Sequence, residues 1–123
     1  MTTFYPSLRY GDARAAIEWL EEAFGFEREM VVDGDADAVA HAQLKFGDGI
    51  IMLGSERDDG WGHHAGQSWV YVAVEGDIDA HCERARDAGA EIVREPTDQD
   101  YGSRDYSARD LEGNLWSFGT YRP

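Results

Sequence analysis

Four histidines, ten arginines and a set of aromatic side chains are the groups in this sequence that could carry chemistry. His41 lies in the alternating stretch "AVAHAQLKF", so it shares one strand face with Gln43 and Lys45. Histidine changes charge near neutral pH, so His41 suits an acid or base as well as a plain hydrogen-bonded strand residue. His63 and His64 are adjacent in a Gly- and Asp-rich run, where no regular geometry aims both at one metal. Solvated loop histidines are the plainer reading. His81 and Cys82 fall mid-helix, Cys82 on a stripe with Ile78 and Ala85 that reads as core.

The densest cluster is "YGSRDYSARDLEGNLWSF", residues 101–118, with two arginines, four aromatics and a turn. Arg104 reads as a surface ion-pair partner of nearby aspartates. Arg109 keeps the phase of Ser107, so it is the better candidate for a site. Tyr5, Trp61, Trp69, Tyr71 and Tyr101 could wall a pocket for a flat or cationic ligand, or simply fill space or an interface. No G-x-S-x-G elbow, P-loop or strand-following G-x-G-x-x-G occurs, and no Ser-His-Asp set stands out.

The elements that position these residues follow from periodicity. "FYPSLRY" reads as a strand that Pro6 keeps at an edge or a bulge. Asp12 suits the N-cap of "ARAAIEWLEEAF", which repeats apolar residues at helical spacing and stops at Gly25. "FEREMVV", "AVAHAQLKF" and "IIMLGS" are strands, the last two joined by a Gly47-Asp48-Gly49 hairpin. Residues 56–67 have no period and read as a connection. "SWVYVAV", a helix "IDAHCERARDAG" capped by Asp77, and the strands "AEIVREP", "DYSARD" and "NLWSFGTY" complete the chain.

Strand, helix and three strands thus occur twice. Asp77 follows Asp12 by 65 residues, and Gly89 and Gly113 follow Gly25 and Gly49 by 64. These spacings imply an α+β fold: one domain, 1–123, of two βαβββ pseudo-repeats at about 1–58 and 66–123. The repeats form a curled mixed sheet, a cup with helices on its outer face. Alternation then points Trp69, Tyr71 and Ala73 into the cup, with Leu115, Ser117 and Gly119. Tyr5, Ser7 and Arg9 share that orientation with His41, Gln43 and Lys45. Val70, Val72, Val74, Trp116 and Phe118 are expected on the helix side.

Composition narrows the partners. The 123 residues carry a net charge of −14, from 25 acidic against 11 basic side chains. Such a surface repels phosphate backbones and anionic lipid, which argues against nucleic-acid and membrane binding. It serves solubility first and favours cationic partners second. No run approaches a membrane span, "MTTFYPSLRY" lacks the features of a signal peptide, and the single Cys82 has no partner for an internal disulfide. A reducing cytoplasm is the expected location.

Paired βαβββ units, the opening "LRYGDARAAIEWLEEAFGFE" and the closing "ARDLEGNLWSFGTY" resemble the vicinal oxygen chelate superfamily. That group includes glyoxalase I, extradiol dioxygenases, and fosfomycin- and bleomycin-resistance proteins. The resemblance implies one divalent metal in the cup of its enzymes, held from the first and last strands of each repeat. Those positions map here to Tyr5, Leu53, Trp69 and Ser117. Tyr, Leu, Trp and Ser do not form a divalent-metal site, which needs imidazole, carboxylate or thiolate donors.

The expectation is therefore a metal-free, cofactor-free binding protein resembling the bleomycin-resistance branch. It would sequester a small aromatic, in the favoured case cationic, compound, with Tyr5, Arg9, His41, Gln43, Trp69, Tyr71, Tyr101, Arg109 and Ser117 as contacts. The same resemblance implies a homodimer with its groove at or near the interface. A glyoxalase-like lyase, isomerase or dioxygenase is the alternative.

Overall fold

A computed structural model describes residues 3–61 and 64–123; the His63 reading lies outside the described residues. Helix α1 spans Ala13–Phe24 and buries Ala16, Ile17, Leu20, Ala23 and Phe24, the face that the apolar spacing defines. Asp12 caps it by accepting the Ala15 N–H, and Gly25 ends it at φ +82°, a left-handed conformation that favours glycine. Helix α2, Ile78–Asp87, repeats the pattern with Asp77 accepting from Ala80 and with Ile78, Cys82 and Ala85 buried.

The first repeat contributes β1 (Ser7–Tyr10), β2 (Glu27–Asp33), β3 (Val39–Phe46) and β4 (Gly49–Ser55) in spatial order β1-β4-β3-β2. The second contributes β5 (Trp69–Ala73), β6 (Glu91–Asp98), β7 (Arg104–Arg109) and β8 (Leu115–Gly119) in order β5-β8-β7-β6. In each, the first and last strands pair in parallel and the others antiparallel. The protein is thus two βαβββ modules, each a mixed four-stranded sheet with one helix, and the sheets do not close into a barrel. Strand β1 begins three residues later than the pattern suggested. Pro6 has no N–H to give, but its carbonyl still accepts from the Met52 N–H at 2.8 Å.

Alternation sorts the faces as expected. Leu8, Tyr10, Ala42, Leu44, Ile51, Leu53, Tyr106, Ala108, Trp116 and Phe118 are buried on the helix-covered sides. These two sides share one core: the Phe24 and Phe118 rings lie 4.7 Å apart, Phe26 and Trp116 5.4 Å, and Phe46 and Phe118 6.4 Å. The helices lock it from the side. The Trp19 indole donates to the Ala88 carbonyl at 2.7 Å, and Arg84 donates to the carbonyls of Glu21 and Glu22 at the end of α1. The opposite face of each sheet is left outside this core.

Two polar groups, one buried and one half-buried, tie the modules. Tyr10 donates to Asp110 at 2.6 Å across 100 residues of sequence. Burial, and then the Asp110 charge, push the Tyr10 hydroxyl far above its ordinary range, so it remains a donor. His81 sits among Phe24, Phe46, Tyr106 and Phe118. Its Nε2 meets the Phe24 carbonyl at 2.8 Å, so Nε2 carries the proton and Nδ1 accepts from the Tyr106 hydroxyl. Desolvation holds the His81 pKa below its usual 6.5; Arg84 adds to the depression, and the Phe24 carbonyl opposes it.

Tyr10→Phe is expected to cost about 2 kcal/mol in urea unfolding, as a buried hydrogen bond to a carboxylate is lost. The unfolded chain takes a proton on His81 at higher pH than the folded chain does. Stability contributed here is therefore intact above about pH 6.5 and falls as pH drops toward 5. Melting temperature measured across that window should decline less in His81→Gln than in the parent.

Candidate functional site

On the outer face of the second module, Trp69 is 71% exposed although its strand is paired on β8. Its indole N–H donates to Ser117 Oγ at 3.0 Å, and Ser117 Oγ lies 2.8 Å from Ser107 Oγ. The two serines are buried, so the ring is held in the open by a hydroxyl pair beneath it. Tyr71, two residues along the same face, donates to the Tyr121 carbonyl at 2.7 Å. It can lie across β8 because position 119 is glycine: a Cβ there would come within 2.7 Å of the Tyr71 hydroxyl oxygen. Burial, and next the Asp105 charge, raise the Tyr71 pKa, so it too stays a donor. Tyr101 packs edge-on against Tyr121, centroids 5.5 Å apart.

Arg109 turns to its own hairpin, donating to the Gly113 carbonyl at 3.0 Å. Arg104 is a surface ion-pair residue, held by Asp79 and Asp98. Asp105 pairs instead with Arg94.

The outer face of the first module carries Arg9, His41 and Gln43. His41 Nε2 lies 3.0 Å from Gln43 Oε1, and Gln43 Nε2 donates to Glu29 at 3.1 Å. Met30 and Val32, cross-strand from Gln43 and His41, are both about half exposed. Arg9 is nine-tenths buried; it donates to Asp59 at 2.6 Å and lies 5.8 Å from the Trp61 ring centroid. Tyr5 precedes β1 and is 45% exposed.

The structure thus gathers the anticipated residues into groups on two outer faces: Trp69 with Ser117, Tyr71 near Tyr101 through Tyr121, His41 with Gln43, and Arg9 apart with the linker. Asp59, Glu29 and Tyr121 belong to these groups and were not anticipated. Asp59 lies in an aperiodic acidic run and Tyr121 follows the last strand, where no pattern distinguishes them.

One equivalence needs correction. The turn joining β7 to β8 is one residue longer than that joining β3 to β4, since Arg109 pairs with Leu115 but Lys45 pairs with Ile50. The counterpart of Ser117, opposite Ser107, is therefore Met52, opposite Gln43. Leu53 is a buried core residue. The four positions become Tyr5, Met52, Trp69 and Ser117, and a thioether adds no donor suited to a hard or borderline divalent ion. Among the described residues no three His, Cys, Asp or Glu side chains converge.

A separate cavity of about 580 Å³ lies at the module junction, lined by Phe4, Phe26, Phe46, Ile51, Val70 and Val72 among others, with Glu75 and Arg122 also on its wall. It draws on core-side residues and, of the anticipated contacts, only Tyr71.

Two βαβββ modules with unclosed sheets define a class of fold, and comparison with known proteins places the chain within it. The model of the Glyoxalase/Bleomycin resistance protein/Dioxygenase superfamily matches residues 3–118, and the chain belongs to this superfamily, the vicinal oxygen chelate group. The crystal structure of TioX from Micromonospora sp. ML1 is 33% identical with a TM-score of 0.78, over 99% of this chain and 100% of that one. An uncharacterized protein of Mycobacterium bovis is 30% identical over 93% of this chain and 80% of its own length. A mutant glyoxalase I from Zea mays shares the fold, with a TM-score of 0.74 at 22% identity over 97% of this chain and 44% of that one.

Ser117→Ala should cost about 1 kcal/mol of stability, the worth of a typical hydrogen bond. It should also free the Trp69 indole. Time-resolved tryptophan anisotropy is expected to show faster local motion in Ser117→Ala, an increase absent when Trp69→Phe is added.

Proposed function

We propose that this protein binds and sequesters a small aromatic compound without a metal and without breaking a bond, a role of the bleomycin-resistance type. The observation that supports this is Trp69. Exposing a large indole to water is unfavourable, and fixing it there by a buried Ser117–Ser107 pair gives a preorganised stacking surface. Tyr71 and Tyr101 extend that surface. The net charge of −14 favours a ligand that is cationic away from its ring.

The whole chain acts as one cytoplasmic unit of two repeats, and the functional form is a homodimer. Exposed Met30 and Val32 on one module and Trp69, Tyr71 and Val93 on the other support this. Two copies would bury these strips by apposing the open face of the first module of each to the second module of its partner. Tyr5, Arg9, His41, Gln43, Arg109 and Ser117 then line a groove with the aromatics, shared between subunits.

Intrinsic tryptophan quenching by polycyclic aromatic cations, with sedimentation equilibrium, tests this reading. Saturable quenching, at least a tenfold loss of affinity in Trp69→Ala, and a particle of twice the chain mass are expected. One tightly held metal per chain after dialysis against mixed divalent ions, with turnover lost in His41→Ala, would overturn it in favour of a glyoxalase-like enzyme.

A further inference from the structure

Arg9 carries a guanidinium nitrogen that is buried and unpaired among the described residues. Its Nη2 donates to Asp59 Oδ2 at 2.6 Å. The other Asp59 oxygen accepts the Trp61 N–H at 3.1 Å, and this turn sets the Trp61 ring 5.8 Å from the guanidinium carbon. On β4 its register partner is Gly54, which puts no side chain beside it. Within this frame Arg9 Nη1 is sealed from solvent and makes no hydrogen bond with the described residues. Leaving a cationic N–H buried and unpaired is costly, so such a group takes a water, an ion or a ligand group as its partner.

We infer that Arg9 Nη1 is the recognition point for a neutral carbonyl oxygen conjugated to an aromatic ring, as in an aryl amide, lactam or quinone, with the ring stacked on Trp61. Charge selects the acceptor. Asp59 already neutralises the guanidinium, and the chain as a whole is at −14. A ligand carboxylate would compete with Asp59 for the guanidinium inside that negative field, whereas a neutral carbonyl brings no charge into it. Because Nη1 is sealed, access requires the 56–61 segment to shift, so binding and loop movement are coupled. This inference rests on the aromatic-binding reading above and adds to it the functional group that the ligand must present.

Isothermal titration with three probes of one ring system tests it: 2-naphthamide, 2-naphthoate and 2-naphthylmethylammonium. The parent protein is expected to bind the amide about tenfold more tightly than the ammonium probe, the value of one hydrogen bond to a charged donor. Arg9→Met should erase that preference while retaining affinity for the ring. Asp59→Asn keeps the folded sheet face intact and leaves the guanidinium uncompensated, so preference should swing toward 2-naphthoate. If Arg9→Met folds poorly, the Asp59→Asn arm decides. Ring binding with no amide preference in the parent, or with unchanged preferences in both variants, overturns the Arg9 inference alone. No binding of any naphthalene probe overturns both it and the aromatic-binding reading.

Discussion

The buried carboxylate of Asp110 is the interaction on which the arrangement of the two modules depends. An ionised group taken out of water must be surrounded by donors, and Asp110 is. Tyr10 and the Trp116 indole reach one oxygen at 2.6 and 3.0 Å, and the backbone N–H groups of Glu112 and Asn114 reach the other. Its turn then works in both directions. Glu112 accepts the N–H groups of Gly11 and Asp12, the residues that start α1, and Asn114 accepts the Ser68 N–H at the entrance to β5. One carboxylate and its turn thereby fix the beginning of the first helix, the fifth strand and the last strand against each other.

The internal duplication does not repeat this device. With the turn lengths aligned, Asp110, Trp116 and Tyr10 correspond to Phe46, Ile51 and Val74, which are apolar and packed on the shared core. The polar junction is closed by short hydrogen bonds. Its counterpart brings apolar side chains together, and the cavity of about 580 Å³ lies there. Directional bonds pull two surfaces to a set spacing, whereas apolar side chains close a gap only if their shapes fill it. The pseudo-symmetric interface is therefore closed by polar contacts at one end and bordered by a cavity at the other.

Core and candidate site are linked by strand alternation. Trp116 and Phe118 enter the core, so Ser117 must face outward, and Val70 and Val72 force Trp69 and Tyr71 out beside it. The same constraint puts Arg9 outside between buried Leu8 and Tyr10. A surface that holds an unburied tryptophan on a pair of buried serines is in this sense set by what the other face of the sheet requires.

Much of the architecture was legible in local pattern. Asp12, Asp77 and Gly25 mark helix ends because capping is a contact between near neighbours, and period-two and helical spacing report which face is buried. Those signals placed both helices and all eight strands, with β1 shortened where Pro6 cannot donate. They also put Trp69, Tyr71, Arg9 and Ser117 on the faces they occupy. What no local pattern carries is contact between distant segments. The pairing of Tyr10 with Asp110, the settling of His81 among four aromatic rings from both modules, and the one-residue turn difference that puts Met52 opposite Gln43 belong to this class. So does the meeting of Arg9 with Asp59 from an aperiodic run 50 residues away. Sequence alone determined elements and faces, because each depends on residue type and short-range spacing. Tertiary structure alone decided which polar groups find partners and which, like Arg9 Nη1, make no hydrogen bond among the described residues, because hydrogen bonds form between whatever the folded chain brings within 3 Å.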